Sequence, residues 1–409
     1  MPDVRHAAIG DWPVRDDCLH VGGVSLTRLA ERVGRTPFYA YDRDRIAARI
    51  AHVRRHLPPT VQLHYAIKAN PMPALVDGMA RLVDGLDVAS AGELQVALDA
   101  GMRASDISFA GPGKQATELR QAVAAGVLLN IESHREAELL AGIARELRLP
   151  ARVAVRVNPD FELKSSGMKM GGGPKQFGVD AEEVPALLRD IARLGLAFEG
   201  FHVFSGSQNL SPDAIADAQR KSVDLALRLA ATGNVVPRII NIGGGFGIPY
   251  FPGERPLDLA PIGGNLAELV AHVSRERPGA QLVVELGRYL VGEAGLYVCR
   301  VVDRKVSRGQ VFLVTDGGLH HHLAASGNFG QVLRKNYPVV IGNRVVGDKR
   351  ESASVVGPLC TPLDLLADRM DLAVAQPGDL VAVLQSGAYG ATASPQGFLS
   401  HPRVAEALV

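Results

Sequence analysis

A single lysine, Lys68, interrupts the apolar stretch LHYAIKANP at residues 63–71. The stretch is predicted to form a buried strand, where an isolated ammonium is unfavourable unless its pKa falls or it forms a covalent bond. Lys68 therefore has two interpretations. Either it lies at the end of the strand with its charged head in solvent, or it is a reactive amine of the kind that forms a Schiff base.

A glycine run, NIGGGFG at residues 241–247, follows another apolar run. Consecutive glycines leave backbone N–H groups open to an approaching anion, although they also form tight turns. The run is not GxGxxG, so it does not favour a dinucleotide fold. The stretch GPGKQ at 111–115 is not a phosphate-binding Walker loop, because Gln115 stands where Ser or Thr is required.

Two charged residues, Glu285 and Arg288, end the apolar run VVELGRYLVG. They are three residues apart and can pair with each other. Alternatively, the carboxylate can hold a cationic ring nitrogen while the guanidinium holds an anionic group.

Histidines and cysteines give little support for a metal site. Adjacent side chains on a strand point to opposite faces, so at most two members of the run HHH at 320–322 can share a site, and there is no HExxH spacing. Cys18, Cys299 and Cys360 are scattered without a CxxC pair, which predicts neither a disulfide framework nor a zinc knuckle. Cys360 lies in the turn-rich stretch GPLCTPLD and is the cysteine expected to matter for function.

These candidates recur at the ends of predicted strands. From residue 36 to residue 290, about eight apolar strands alternate with helical segments, which predicts a parallel (β/α)8 TIM barrel. Active sites of such barrels lie at the carboxyl ends of the strands. The residues that follow the apolar runs are Lys68, Asp87, Ser90, Glu93, Arg156, Asn158, Ser207, Gly243, Gly244, Gly245, Glu285 and Arg288.

The residue pattern changes after residue 290. Valine-rich runs separated by Gly and Pro turns predict a C-terminal antiparallel β-sandwich or barrel domain, in which TPLDLLADRM is expected to form one helix. The first 35 residues do not fit the barrel alternation. The predicted domains are therefore a barrel at 36–290 and a discontinuous β domain made of 1–35 and 291–409.

The composition excludes several classes of function. The 409 residues carry a formal net charge of +1, so there is no global field to attract nucleic acid or an anionic membrane. No apolar stretch reaches 18 residues, and the start of the chain has no signal-peptide core. A cytoplasmic location is predicted.

Seven motifs together resemble a known family. They are, in order, YAIKAN, DVASAGEL, GFHVFSGSQ, IGGGFGIPY, ELGRYLVG, GPLCTPLD and SGAYGATAS. Their set is similar to the alanine-racemase-type (fold type III) pyridoxal phosphate decarboxylases, which include the diaminopimelate and ornithine decarboxylases. Within that family the chain is most similar to a decarboxylase-like subgroup associated with exosortase A systems, and it also resembles decarboxylases that act on amino acids tethered to carrier proteins.

The resemblance implies pyridoxal phosphate as the cofactor, held by Lys68 as a Schiff base. It implies that Glu285 keeps the pyridine nitrogen protonated, and that Tyr389 reaches the cofactor from the C-terminal domain. It also implies a homodimer with active sites at the interface, where Cys360 of the partner subunit protonates the product. The other cofactor-binding residues that it implies are Asp87, Arg156, Phe204, Ser207, Gly243, Gly244, Gly245, Gly287 and Arg288.

Three departures from the family pattern concern the cofactor ring and the substrate. Phe204 stands where the family places a stacking histidine, although His202 is present. Thr361 replaces the acidic residue that binds a distal ammonium. The stretch DGGLHHHLAASGNFGQ replaces an arginine–proline pair with a nearby tyrosine, and it offers His320, His321 and Asn328 as substrate contacts.

The cofactor residues are thus retained while the substrate residues differ. We therefore expect decarboxylation of an amino acid with a neutral or extended side chain, or of one tethered to a carrier protein. Two alternatives remain. A racemase of the same fold would need a tyrosine base opposite Lys68, and a catalytically silent regulator would be expected to lose Lys68 or Glu285.

Overall fold

The computed structural model describes residues 9–162, 168–169, 171–329, 331 and 335–409. Contacts within the chain divide it into two units. The barrel unit comprises Arg49–Ile248 and Pro256–Tyr289, and the sheet unit comprises the chain up to Ala48 together with Pro249–Arg255 and Leu290–Val409. The domain boundaries predicted at residues 36 and 290 stay a prediction.

Short elements open the chain. They are β1 (Val14–Arg15), β2 (Cys18–Val21), β3 (Val24–Ser25), α1 (Leu26–Val33), β4 (Phe38–Tyr41) and α2 (Arg43–His56). The first three strands pair as a small antiparallel sheet. Helix α1 begins where the Ser25 hydroxyl accepts a hydrogen bond from the backbone of Arg28, and it ends at Gly34 in the left-handed conformation.

Strands and helices alternate through the barrel unit. They are β5 (Gln62–Ala66), α3 (Pro73–Ala80), β6 (Gly85–Val88), α4 (Ala91–Asp99), β7 (Ile107–Phe109), α5 (Ala116–Ala125), β8 (Leu128–Ile131), α6 (His134–Leu147), β9 (Arg152–Asn158), β10 (Met168–Lys169), β11 (Val179–Asp180), α7 (Val184–Leu194), β12 (Ala197–Val203), β13 (Gly206–Ser207), α8 (Pro212–Thr232), β14 (Ile239–Gly244), α9 (Ala260–Glu276), β15 (Gln281–Leu286) and α10 (Arg288–Val291).

A closed parallel sheet forms the centre of this unit. Within the described residues, eight strands pair in the order β5-β6-β7-β8-β9-β12-β14-β15, and β15 pairs with β5 to close the ring. Every neighbouring pair is parallel. The predicted TIM barrel is confirmed.

Polar caps begin the helices directly after two strands. Ser90 follows β6 and accepts a hydrogen bond from the backbone of Glu93, whose carboxylate accepts one from Ala89 N at 2.8 Å. Ser133 caps α6 in the same way. Ser90 and Glu93, which the sequence offered as site candidates, therefore form a reciprocal cap that fixes the entry into α4.

The strand register gathers polar side chains inside the barrel. Glu285 of β15 is the register partner of His64 of β5, and Asp87 of β6 is the partner of Ser108 of β7. All four are buried. A buried polar group needs a hydrogen-bond partner. The polar side chains that interrupt the apolar strands therefore form hydrogen bonds with one another inside the barrel.

The sheet unit continues from the end of the barrel. Its strands are β16 (Gly295–Ser307), β17 (Gln310–Thr315), β18 (Val339–Ile341), β19 (Arg350–Val356), β20 (Leu365–Ala373), β21 (Leu380–Val383) and β22 (Ala405–Leu408). They run in the order β18-β21-β16-β17-β19-β20, while β4 pairs with β16 and β22. Most pairs are antiparallel as predicted, but β17–β19 and β4–β22 are parallel, so the sheet is mixed.

One predicted helix is wrong. The stretch TPLDLLADRM ends in strand β20 rather than forming a helix. In that strand Met370 and Leu372 are buried while Arg369 and Asp371 are exposed, which is the two-residue alternation of a sheet edge. Among the described helices, none is long and apolar enough to cross a membrane.

Candidate active site

Lys68 lies just beyond the carboxyl end of β5. The strand ends at Ala66, and a single 3-10 turn over Ile67–Ala69 carries the lysine. Its Nζ lies 3.9 Å from Glu285 Oε1, and 44% of its side chain is exposed, against 5% for Glu285. The interpretation of the whole stretch as buried strand is therefore wrong at this position: the amine is accessible and faces a buried carboxylate.

Two buried side chains hold Glu285 from the other side. His202 Nε2 donates to Glu285 Oε2 at 2.9 Å, and Asn241 Nδ2 donates to the same oxygen at 3.4 Å. Burial by itself would raise the pKa of Glu285, but the charge and hydrogen bond of His202, followed by Lys68 and Arg156, hold that pKa far below its usual range. Glu285 is thus a fixed carboxylate, with Oε1 directed towards Lys68.

Phe204 occupies the position where the family places a histidine. Its ring centroid lies 5.5 Å from Lys68 Nζ, a distance at which the ring face attracts a cation. The ring is half-buried and packs over the backbone of Gly243. Phe204 therefore provides an apolar surface beside the amine, without the hydrogen-bonding capacity of an imidazole.

The glycine run forms a tight loop that has no room for side chains. Gly243 and Gly245 adopt φ values of +67° and +77°, in the left-handed region. A Cβ on Gly243 would lie 2.8 Å from Phe204 Cδ2, and one on Gly244 would overlap the carbonyl oxygen of Glu285. The loop can therefore bring bare backbone close to an anion, as a phosphate group requires.

A neighbouring segment fixes the glycine loop. Asn209 is fully buried, donates its backbone N–H to Gly245 O at 2.9 Å and accepts one from Gly247 N at 2.8 Å. Ser207 lies two residues earlier, in strand β13. The sequence singled out Ser207 but not Asn209, whose role depends on backbone pairing between segments that are distant in sequence.

Arg156 and Asp87 are both engaged by partners that the sequence did not indicate. Arg156 Nη1 lies 2.9 Å from Glu132 Oε1. Glu132 also accepts the backbone N–H of Gly111 and Gly178. Burial raises the pKa of Glu132, but Arg156, Lys114 and these hydrogen bonds outweigh it and lower the pKa below its usual value. Asp87 is buried, and among the described residues its hydrogen bonds are all made by Oδ1.

The GPGKQ stretch has a structural role. Lys114 is almost fully buried, and its Nζ donates to the carbonyl oxygens of Gly111 and Asn130 and to Glu136 Oε1 at 2.6 Å. These contacts hold the loop after β7 against β8. Asn158, another sequence candidate, donates to Asp180 Oδ1 at 2.7 Å and links β9 to β11.

Gly287 and Arg288 connect β15 to α10. A Cβ on Gly287 would lie 3.0 Å from the Cβ of Ala69, so glycine lets this turn pack against the turn that carries Lys68. Arg288 is half-buried and is the first residue of α10.

Within the sheet unit, the Cys360 loop is built around Asp364. This buried carboxylate accepts backbone N–H groups from Leu319 at 2.6 Å and from Leu359 at 2.9 Å. Cys360 itself is exposed. The Thr361 hydroxyl accepts a hydrogen bond from Leu363 N at 3.3 Å, so it stabilises the turn.

The segment that replaces the family's arginine–proline pair adjoins this loop. Exposed Asn328 donates to Leu363 O at 3.4 Å and to Ser326 Oγ at 2.8 Å. Together with the Asp364–Leu319 bond, this contact joins the two segments that depart from the family pattern into one region of the sheet unit. No spacing or motif of the sequence indicates Asp364 as the residue that connects them.

The three adjacent histidines are buried in turns rather than placed on a strand. His320, His321 and His322 are at most 1% exposed. His321 Nε2 bonds to Pro402 O at 2.8 Å and His322 Nε2 bonds to Ser386 Oγ at 2.8 Å. Among the described residues no group of three His, Cys, Asp or Glu side chains is placed to hold a metal.

Tyr389 lies in the loop after β21. It is half-buried and has a φ of +53°, which is uncommon for a residue with a side chain. The next residue, Gly390, packs against the ring of Tyr39. Tyr389, a cofactor-binding candidate, and Cys360, a catalytic candidate, both belong to the sheet unit, whereas the remaining cofactor-binding candidates belong to the barrel unit.

Comparison with known proteins gives one consistent picture. The model of the pyridoxal-dependent decarboxylase family, for its pyridoxal binding domain, matches residues 43–292. The L-glutamyl-[BtrI acyl-carrier protein] decarboxylase of Niallia circulans is 40% identical over 396 residues, covering 95% of this chain and 92% of the relative. The diaminopimelate decarboxylase of Aquifex aeolicus is 35% identical, covering 97% and 91%.

A solved structure agrees with these relatives. The crystal structure of AQ1208 from Aquifex aeolicus superposes with a TM-score of 0.84 at 32% identity, and the match covers 97% of this chain and 92% of that one.

Proposed function

The chain belongs to the pyridoxal-dependent decarboxylases, and from this membership we propose that it removes carbon dioxide from an amino acid carried on an acyl-carrier protein, with Lys68 holding the cofactor. The general activity, pyridoxal phosphate-dependent decarboxylation of an amino acid, is shared by the relatives. The substrate and the roles of individual residues are the proposal.

The barrel residues fit pyridoxal phosphate. When bound, the cofactor supplies a conjugated system that accepts the electron pair left at the α-carbon as carbon dioxide departs. Glu285 is suited to hold the ring nitrogen in its protonated form, because His202 fixes its Oε2 and leaves Oε1 on the side of Lys68. Phe204 would supply the stacking surface.

The phosphate would lie on the glycine loop. Gly243, Gly244 and Gly245 offer backbone without side chains, and Ser207 and Arg288 would add a hydroxyl and a charge. Asp87, Arg156 and Gly287 complete the set that we assign to cofactor binding in the barrel unit, and Tyr389 completes it from the sheet unit.

Cys360 is assigned to proton transfer. Decarboxylation leaves an electron pair on the α-carbon, and the product forms when a proton is delivered there. An exposed thiol in an ordered loop is placed to exchange protons with solvent. As the family pattern implies, we propose that Cys360 of the partner subunit serves each site, so that the enzyme acts as a homodimer.

The observation that carries the substrate proposal is the composition of the Cys360 loop. Thr361 stands where relatives of the diamino acid type need a carboxylate, and its hydroxyl is used within the turn. The neighbouring carboxylate, Asp364, is buried and both of its oxygens accept backbone N–H groups. Neither residue can neutralise a distal ammonium, whose burial without a partner is strongly unfavourable.

A carrier-bound substrate agrees with this loop. The relative from Niallia circulans is named for an L-glutamyl group on an acyl-carrier protein, a substrate whose distal part is not an ammonium. The region formed by Asn328 and the Cys360 loop presents the amide of Asn328, the hydroxyl of Thr361 and the exposed apolar side chain of Leu363, none of which is charged. His320 and His321, which the sequence offers as substrate contacts, are both buried, so the proposal assigns no substrate contact to either of them.

The test is a comparison of substrates on the purified enzyme with pyridoxal phosphate added. Release of carbon dioxide would be measured from L-glutamyl carrier protein, free L-glutamate, diaminopimelate, ornithine and lysine. We expect the carrier-bound substrate to be turned over with the highest kcat/KM. The Lys68→Ala variant is the control for background release.

Two results would overturn parts of the proposal. Turnover of free diaminopimelate or lysine at a kcat/KM equal to that of the carrier-bound substrate would show that Thr361 had been misinterpreted. Absence of release from every substrate, with cofactor demonstrably bound, would remove the proposed substrate class while leaving the family membership intact.

A further inference from the structure

A buried histidine contacts Asp87 from the wall of the barrel. His64 belongs to β5, and its Nδ1 donates to Asp87 Oδ1 at 3.1 Å. Ser108 Oγ donates to the same oxygen at 2.5 Å, and Asn130 Nδ2 lies 3.4 Å from that hydroxyl. The other carboxylate oxygen, Asp87 Oδ2, is buried and has no hydrogen-bond partner among the described residues.

The two carboxylate oxygens of Asp87 are therefore bonded unequally. A buried carboxylate oxygen without a hydrogen-bond donor is strongly unfavourable, because it has lost its bonds to water without replacement. Such groups are found where a ligand or an ordered water supplies the missing donor. Both donors that the described residues provide go to Oδ1, so Oδ2 is the atom left for the donor of a bound group.

The barrel wall is shaped around the imidazole. Position 85 on β6 is glycine, and a Cβ there would lie 2.5 Å from His64 Nε2. The φ of Gly85 is not in the left-handed region, so its backbone does not require glycine. The missing side chain is therefore explained by the space that the His64 ring occupies together with the backbone carbonyl oxygen of Asp106, which would lie 2.6 Å from the same Cβ.

A polar cavity gives His64 access to protons. It has a volume of about 260 Å³, and its inner wall includes His64, Ser108 and Asn130. Towards the amino ends of the strands it is lined by Gln62 and Gln281, which bond to each other at 2.9 Å. A cavity of this size with polar walls can hold water, so the imidazole can exchange a proton with solvent although it is buried.

The charges around His64 favour its protonated form. Burial lowers the pKa of His64, but Asp87, by charge and by hydrogen bond, and then Glu285 and Asp84 outweigh burial and raise it. Asp87 is on β6, Glu285 on β15 and Asp84 in the turn before β6. The cavity below His64 is also lined by Asp106 and by Glu199, which pairs with Arg152 at 3.2 Å and with Arg238 at 3.6 Å. Farther along the barrel interior, Lys68 lies beside Glu285 and Arg156 beside Glu132.

We propose that His64 is a positioning residue for the cofactor: its imidazolium and the Ser108 hydroxyl hold Asp87 by Oδ1, as a carboxylate, so that Oδ2 is directed to a donor brought by pyridoxal phosphate. This inference rests on the proposed function, because Asp87 is assigned to cofactor binding there. His64 lies outside the seven family motifs. If it has this role, the affinity for the cofactor depends on whether the His64 imidazole is protonated.

The inference predicts a pH dependence that a purely structural histidine would not produce. Below the raised pKa of His64 the Asp87 contact is charge-assisted, and above it the contact is a weaker neutral hydrogen bond. Affinity for pyridoxal phosphate should therefore decrease as the pH rises through that pKa. In His64→Gln, which keeps a neutral donor, this component of the pH dependence should be absent.

The experiment measures the Kd of pyridoxal phosphate by absorbance between pH 5.5 and pH 9 for the full chain. We expect His64→Gln to bind roughly tenfold more weakly than wild type at the acid end, with the difference shrinking at the alkaline end. The matched control is His134→Gln, because His134 forms a similar pair with Asp190 at 2.8 Å on the exposed surface. That variant should follow the wild-type curve.

A second readout does not depend on the cofactor. In protein labelled with ¹³C at histidine Cε1, the His64 signal should titrate above the usual pKa of 6.5, and the Asp87→Asn variant should lower that pKa. Equal Kd values for wild type and His64→Gln at every pH would overturn the inference while the proposed function stands. Failure of the wild-type protein to bind pyridoxal phosphate at all would overturn the proposed function itself.

Discussion

His202 Nε2 lies 2.9 Å from Glu285 Oε2, and both side chains are almost fully buried. The contact fixes one oxygen of the carboxylate and lowers its pKa, so that the other oxygen faces Lys68 as part of a permanent anion. The family's usual imidazole beside the cofactor ring is absent at position 204. The imidazole of His202, two residues before Phe204, therefore binds the Glu285 carboxylate and does not replace the histidine that stacks on the cofactor ring in the family.

The charge of Glu285 is the first property to test. Glu285→Gln keeps the shape and removes the charge, so we expect pyridoxal phosphate to bind while kcat for carbon dioxide release falls roughly 100-fold. Both quantities are measured on the same preparations. The control is Glu199→Gln, since Glu199 is also largely buried but lies nearer the amino end of its strand and pairs with Arg152. A kcat within twofold of wild type in Glu285→Gln would contradict the assigned role.

The glycine loop predicts an effect that depends on position. In Gly243→Ala the new Cβ would meet Phe204 Cδ2 at 2.8 Å, and the residue would keep an unfavourable φ of +67°. We expect the Kd of pyridoxal phosphate to rise at least about tenfold. Gly195→Ala has the same backbone strain, with a φ of +73°, but its Cβ would meet nothing within 4 Å. If both variants raise the Kd of pyridoxal phosphate equally, backbone strain rather than the position of Gly243 in the loop is responsible for the weaker binding.

The pairing of Glu132 with Arg156 predicts a dependence of stability on pH. Because the pKa of Glu132 is lowered from its usual 4.5, it adds stability that is fully present above pH 4.5 and is lost as the pH falls through the folded-state pKa. In Glu132→Gln the free energy of unfolding should be lower than in wild type by roughly 3 kcal/mol at pH 7. Denaturant unfolding should show this difference shrinking below pH 4.5, and a difference that grows there would contradict the account.

The Cys360 loop allows a gain of activity to be tested. Thr361→Asp places a carboxylate where diamino acid decarboxylases carry one, and it retains an oxygen to accept the hydrogen bond from Leu363 N. We expect kcat/KM for free diaminopimelate to rise roughly tenfold over wild type. Thr361→Ser is the control because it keeps the hydroxyl. Equal activity of the two variants on diaminopimelate would show that the distal ammonium is not recognised at this position.

The barrel could be predicted from sequence because its signal is local. Each strand is a short apolar run, each helix has its own periodicity, and the polar residue at a strand's end is visible in the chain, as with Glu285 and Lys68. The prediction that the sheet unit is antiparallel is wrong for two strand pairs that are parallel. Strands such as β4 and β22 are far apart in sequence, so no local pattern indicates that they pair. The helix predicted for TPLDLLADRM is wrong because the two-residue alternation of this stretch is short and the stretch contains strong helix formers.

The residues that support the site were harder to predict than those within it. Glu132, Asn209 and Asp364 act through backbone groups or charges of segments far away in sequence, so no spacing reveals them. His64 precedes Lys68 by four residues, and the sequence around it predicts no more than an apolar strand. Its function depends on Asp87 of the next strand and on the absence of a side chain at Gly85, which become apparent only once the register is known.

The most direct test of the account is to locate the cofactor's covalent bond. Purified protein would be incubated with pyridoxal phosphate, reduced with borohydride and digested, and the modified peptide identified by mass spectrometry. We expect modification at Lys68 in wild type and its loss in Lys68→Ala, together with loss of carbon dioxide release. Modification of another lysine in wild type, or activity that survives in Lys68→Ala, would show that Lys68 does not hold the cofactor.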